Sequence, residues 1–201
     1  PTYTPLILLH GNGEIASDYD HLAPDFHACG AHLCVLDYRG YGLSSAKPSV
    51  QTLFQDALDG FLALQKQFFS QSTAPIVVMG RSLGCPVALF LAQKIPSIKG
   101  LIIDSGFADL NDLVVRLIGP NTLNFNDPFN NLGHCAAIDC PSLLLHGDCD
   151  TLTPLEGAMR LKDALSPNAT LEIIQGADHN RVIATNRAQY FSAVGRFLSA
   201  L

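Results

Sequence analysis

Six short apolar runs recur along the chain, at Leu6–Leu9, His32–Asp37, Pro75–Met79, Gly100–Ile103, Ser142–Leu145 and Leu171–Ile174. Within each, hydrophobic positions are nearly consecutive rather than alternating. That is the pattern of strands covered on both faces, as in a parallel sheet packed between helices. The stretches between them have a different period. Val50, Leu53, Phe54, Ala57, Leu58, Phe61, Leu62 and Leu64 fall at helical spacing, which predicts a helix running to Phe69. Further helices are predicted over Pro86–Gln93, Leu110–Ile118 and Thr185–Leu198. Thr153-Pro154 reads as an N-cap followed by proline at the first helical position, opening a helix through Leu165.

Strand and helix alternate throughout, so the fold class is α/β: a doubly wound, mostly parallel sheet of about six strands flanked by helices. Residues 105–139 depart from the alternation. They hold the helix at Leu110–Ile118 and then a Pro/Asn-rich stretch through Asn131. This is too short for a second domain and reads as a small lip over the carboxyl ends of the strands, not a large lid. With no repeat and no linker, residues 1–201 read as one domain.

The strand Pro75–Met79 runs into Gly80-Arg81-Ser82-Leu83-Gly84 and then a helix. Gly-x-Ser-x-Gly in that context is a nucleophile elbow: a sharp turn that presents the serine hydroxyl at a helix N-terminus. Small residues are needed two before and two after the serine for the helix to approach the neighbouring strand. A serine nucleophile needs a base, and the base needs an orienting acid. Asp150 follows the strand Ser142–Leu145, and His179 follows Leu171–Ile174, each in a strand-end loop. Leu8-Leu9-His10-Gly11-Asn12-Gly13-Glu14 follows the first strand. Asn12, flanked by Gly11 and Gly13, and Leu83 are the candidate backbone N–H donors for an oxyanion. Asp104, also at a strand end, is the alternative acid. His10 and His146 read as structural, Asp148 and Asp178 as turn formers, and Arg39 and Arg81 as braces between loops. Gly11, Gly13 and Phe107 are the candidate substrate-pocket residues, Phe107 from the 105–139 segment with Phe125 and Phe129 behind it.

The chain resembles the serine hydrolases of the α/β-hydrolase fold, and within them the compact esterase, thioesterase and lipase-like members. The resemblance rests on the His-Gly-Asn loop, the Gly-Arg-Ser-Leu-Gly elbow, the Ser, Asp, His order, and the stretch Asp37-Tyr38-Arg39-Gly40-Tyr41-Gly42-Leu43-Ser44. It implies Ser82 as nucleophile, His179 as base, Asp150 as orienting acid, and Asn12 and Leu83 as the oxyanion hole. It implies hydrolysis of a carboxylic ester or thioester through an acyl-enzyme, with no cofactor and no metal. Aminopeptidase-like, acyltransferase and catalytically silent binding forms of the same scaffold are the alternatives. It also implies an antiparallel strand pair ahead of the His-Gly strand; only about five residues precede that strand here, so either those strands are absent or they lie upstream of Pro1.

Composition narrows this picture. A chain 48% hydrophobic and only 15% charged suits two-sided burial of a sheet. A net charge of −6, without a basic stripe, argues against a nucleic-acid partner. No apolar run approaches the roughly 20 residues of a membrane span, so no membrane span is expected; a small acyl ester or thioester as partner is what the resemblance implies. Six cysteines in a chain with a full core read as reduced thiols, Cys34 and Cys85 as small buried hydrophobes, which favours a cytoplasmic setting. His134, Cys135 and Cys140 do not have zinc-site spacing. The chain starts at Pro1 rather than methionine, so the lack of a leader within it carries little weight.

Overall fold

A computed structural model describes residues 3–70, 73–119, 126–165 and 167–201. Six strands form one sheet: β1 (Thr4–Leu9), β2 (Ala31–Leu36), β3 (Ile76–Arg81), β4 (Ile98–Asp104), β5 (Ser142–Gly147) and β6 (Ala169–Ile174). Their order across the sheet is β2-β1-β3-β4-β5-β6, and every pairing is parallel. All six predicted strands are present. The difference that matters is at β3, which continues through Arg81 so that Ser82 leaves the sheet directly.

The helices are α1 (Ala23–Ala28), α2 (Val50–Leu64), α3 (Gly84–Lys94), α4 (Leu110–Ile118), α5 (Asn131–Cys135), α6 (Leu155–Ala164), α7 (Val182–Thr185) and α8 (Arg187–Ser199). A 3-10 helix, Ala16–Leu22, precedes α1, and α2 ends in a π-helical turn over Gln65–Phe69. The helix expected from Thr185 to Leu198 is two elements. The chain breaks at Asn186, whose side chain accepts from the Gln189 N–H and caps α8.

Alternate strand residues feed two cores. Ile7, Leu9, Val78 and Leu144 pack under Leu53 and Phe61 of α2, Val87 and Leu91 of α3, and Leu161 of α6. Leu6, Leu8, Met79 and Leu145 face Tyr19 and Leu22 of the 3-10 helix, Phe26 of α1, and Tyr190 and Val194 of α8. Each such aliphatic side chain, fully buried, contributes roughly 1.5–3 kcal/mol relative to exposure. This double coverage is why the strands read as continuous apolar runs. It also fixes the site. From β1 the chain winds one way to β2, then returns to place β3 on the other side of β1. The helix after β1 covers one face and the helix after β3 the other, so a crevice opens between the carboxyl ends of β1 and β3, the switch point where open α/β sheets bind ligands.

Candidate active site

Ser82 occupies a left-handed backbone conformation, φ 50°, that a non-glycine residue adopts only when its surroundings enforce it. Two backbone hydrogen bonds do so: the Ser82 N–H donates to the Asp104 carbonyl at 2.9 Å, and its own carbonyl accepts from the Cys85 N–H at 2.9 Å. The glycines on either side make the turn possible. A Cβ on Gly84 would lie 1.8 Å from the Leu9 carbonyl oxygen, and one on Gly80 2.5 Å from the Gly84 carbonyl oxygen. The first turn of α3 is thus seated against the end of β1, and the half-exposed hydroxyl stands at its N-terminus.

A continuous hydrogen-bonded line runs from that hydroxyl. His179 Nε2 is 2.9 Å from Ser82 Oγ, and His179 Nδ1 is 2.7 Å from Asp150 Oδ2. Asp150 and His179 are both buried. Asp104 is not on this line. Its carboxylate accepts from the Tyr190 phenol at 2.7 Å and the Ser105 hydroxyl at 2.8 Å. The structure therefore brings together Ser82, His179 and Asp150, and leaves the alternative acid beneath them in the core.

Leu9 of β1 is in register with Gly80 of β3, so the loop after β1 leaves the sheet beside Ser82. In that loop the Gly11 N–H donates to Glu14 Oε2 at 2.6 Å and is not available to a substrate. Among the described residues the backbone N–H groups of Asn12 and Leu83 have no partner within the chain. The Asn12 side chain is steadied by the Tyr41 phenol, which donates to Oδ1 at 2.8 Å. Gly13, at φ 79°, is exposed, and a Cβ there would meet nothing within 4 Å, so the glycine serves the turn and not a close approach. Phe107 is buried edge-on against Phe129 and borders a cleft between α4 and α6, not the cavity beside His179. Phe125 lies outside the described residues.

Residues 4–125, more than half of the chain, match the Hydrolase_4 family, described as "Serine aminopeptidase, S33". The chain belongs to this family. Its fold is that of an α/β-hydrolase. The chain is 29% identical over 199 residues to the uncharacterized protein Rv2307c of Mycobacterium tuberculosis, covering 96% of this chain and 69% of that one. It is 28% identical over 193 residues to the lysophosphatidylserine lipase ABHD12 of Danio rerio, covering 83% of this chain but only 49% of the lipase. Among solved structures, the Pyrococcus furiosus esterase Pf2001 superposes with a TM-score of 0.82 at 25% identity, covering 99% of this chain and 83% of the esterase. The hydrolase described here thus spans about half of the lipase and most of the esterase. Among its described residues, no helix is long and apolar enough to cross a membrane.

Two residues of this hydrolase work differently from their sequence reading. Thr153 does not cap α6, which starts at Leu155 with Pro154 as its flanking residue. Instead the Thr153 N–H and hydroxyl both donate to Asp150, at 2.8 Å each. The Asp150-x-x-Thr153 spacing is the signal, because a carboxylate readily accepts from backbone and hydroxyl groups two and three residues on. Asp148 reaches beyond its own turn: it accepts from the Gly176 N–H at 2.6 Å and joins the loops after β5 and β6. Asp178 does form a local turn, accepting from the Asn180 N–H. His10 and His146 are buried. His10 Nδ1 pairs with the Gly11 carbonyl at 2.9 Å, and His146 Nε2 with the Thr153 carbonyl at 2.6 Å. Arg39 is bound to Asp56, on α2. All six cysteines are free thiols; Cys85 is fully buried, whereas Cys34 is only half-buried.

Glu14 and Arg81 also belong to the site. Glu14 follows Gly11 by three residues, and its Oε1 is 3.0 Å from Arg81 Nη1. Behind them and His179 lies a cavity of about 270 Å³, lined also by Leu8, Met79 and Tyr190.

Burial alone would raise the Asp150 carboxyl. The hydrogen bonds from His179 and Thr153 outweigh burial and hold it below the ordinary carboxylate range. The folded protein therefore binds fewer protons at this group than the unfolded chain does. Its contribution to stability is complete above the ordinary carboxylate pKa and is lost as pH falls toward the depressed folded value. Urea unfolding of the wild type and Asp150→Asn from about pH 7 to about pH 3 is expected to show a difference that is flat at neutral pH and shrinks on acidification. A pH-independent difference would mean that the charge of Asp150 is not what stabilises it.

Proposed function

We propose that this hydrolase cleaves a carboxylic ester or thioester through an acyl-enzyme, as a serine hydrolase of the carboxylesterase or thioesterase type. The observation that carries the reading is the unbroken line Ser82 Oγ, His179 Nε2, His179 Nδ1, Asp150 Oδ2, at 2.9 and 2.7 Å. Ser82 Oγ attacks the substrate carbonyl carbon while its proton passes to His179 Nε2. Asp150 holds the ring with Nδ1 protonated and stabilises the imidazolium as it forms. The carbonyl oxygen becomes an oxyanion, stabilised by the Asn12 and Leu83 N–H groups at roughly 3 kcal/mol per donor. The carbon–oxygen or carbon–sulfur bond to the leaving group then breaks as the imidazolium protonates it. A water gives its proton to the same Nε2 as it attacks the acyl-serine; the bond from the acyl carbon to Ser82 Oγ then breaks, Oγ takes that proton from the imidazolium, and the carboxylic acid leaves.

The likeness to the esterase Pf2001 favours esters. The family description favours a second reading, in which the same residues cleave the amide bond at a peptide amino terminus. One assay separates them: p-nitrophenyl acyl esters of increasing chain length, with an acyl thioester and an aminoacyl amide alongside. Turnover of acyl esters or the thioester at kcat/KM at least about tenfold above that of the amide is expected. The reverse order would transfer the assignment to aminopeptidase chemistry.

A further inference from the structure

The proposed nucleophile, base and oxyanion loop come from three different strands, and one side chain touches all three segments. Arg81, the residue before Ser82, is only 14% exposed in its side chain. Its Nη2 donates to the His179 carbonyl at 3.0 Å and to Asn180 Oδ1 at 3.1 Å, which ties down the loop after β6. Its Nη1 donates to Glu14 Oε1 at 3.0 Å. Glu14 in turn accepts on Oε2 from the Gly11 N–H and from the Tyr19 phenol, both at 2.6 Å, which ties down the loop after β1.

The same Nη1 lies 3.5 Å from His179 Nε2, the atom that must accept the Ser82 proton. This contact is a hazard. A guanidinium is always charged and always a donor. Turned fully toward Nε2, it would occupy the lone pair needed by the Ser82 hydroxyl, and its charge would oppose the imidazolium that forms next. Glu14 counters both effects: it accepts one of the two Nη1 hydrogens in a shorter bond, 3.0 Å against 3.5 Å to Nε2, which holds the group back from the base, and it supplies the compensating charge.

We propose that Glu14 and Arg81 are positioning residues for the reaction: Arg81 fixes the His179 loop, and Glu14 keeps the Arg81 cation from blocking and repelling the base. This rests on the reading of Ser82 and His179 given above. It assigns the two residues unequal parts. Losing Glu14 while keeping Arg81 leaves an uncompensated cation against the base, whereas losing both leaves only a looser loop.

The test is kcat and KM for ester hydrolysis by the wild type, Glu14→Gln, Arg81→Met and the double variant. Gln keeps an oxygen for the Gly11 N–H and Tyr19 while removing the charge, so folding is preserved; thermal unfolding of each variant checks this. Glu14→Gln is expected to lower kcat by about tenfold to a hundredfold with KM little changed, a part of what a general base supplies. The double variant is expected to be several-fold faster than Glu14→Gln, because removing the cation rescues the base. A double variant as slow as the product of the two single effects, or a Glu14→Gln enzyme with wild-type kcat, overturns the proposal. Labelling of the wild type by a fluorophosphonate, mapped to Ser82, separates the outcomes. If Ser82 labels but no rescue occurs, only this inference fails; if Ser82 does not label, the reading beneath it fails.

Discussion

Alanine at position 82 is expected to yield a folded protein whose ester turnover is lower by at least about a thousandfold. The hydroxyl is the only group of Ser82 that reaches His179, and Cβ is common to both residues, so the φ of 50° costs the variant no more than the wild type. The backbone bonds that hold the turn, to Asp104 and Cys85, do not involve the side chain. The thermal midpoint should therefore stay close to that of the wild type while acyl-enzyme, seen as an acyl mass increment in a quenched reaction, disappears. Activity persisting in a pure, folded Ser82→Ala protein would remove Ser82 from the chemistry.

At position 84 the same substitution should act on folding instead. Its Cβ would approach the Leu9 carbonyl oxygen to 1.8 Å, the Leu9 carbonyl carbon to 2.5 Å and the His10 carbonyl oxygen to 2.9 Å. These are backbone atoms at the end of a central strand, with β2 and β3 on its two sides, so they cannot rotate away as a side chain would. Relief requires α3 to lift from β1, which would open the apolar contacts of Val87 and Leu91. A loss of about 3 kcal/mol or more is expected for Gly84→Ala, at or above the upper end of ordinary overpacking. Denaturant unfolding measures it directly. A loss below about 1 kcal/mol would mean that the elbow has more freedom than this contact allows.

The strands were legible because burial on both faces leaves uninterrupted apolar runs, and the Ser82, Asp150 and His179 loops were legible because each begins where such a run ends. What escaped reading was short or relational. The 3-10 helix Ala16–Leu22 buries only Tyr19 and Leu22, too few positions to display a period. α1 is six residues long, with a proline in its first turn. The Thr153-Pro154 pair carries a general cap signal, but Asp150, three residues earlier, competes for the same hydroxyl and wins, since a buried carboxylate gains more from it than an exposed helix end does. Arg81 was legible as a brace between loops, whereas Glu14 is unremarkable in its own loop. Their pairing exists only because β1 and β3 are neighbours, a fact of strand order and not of local pattern.

That strand order has a further consequence for how the enzyme comes into being. Among the described strands β6 comes last in sequence and lies at the border of the sheet, and the imidazole hangs from the loop that follows it. Synthesis runs from the amino end, and domains fold as they emerge. On the reading proposed here, a nascent polypeptide that has reached β5 already carries its alcohol, and a few residues later its carboxylate, yet has nothing to deprotonate the alcohol. On that reading, reactivity appears only once the loop after β6 has been added and docks beside Ser82.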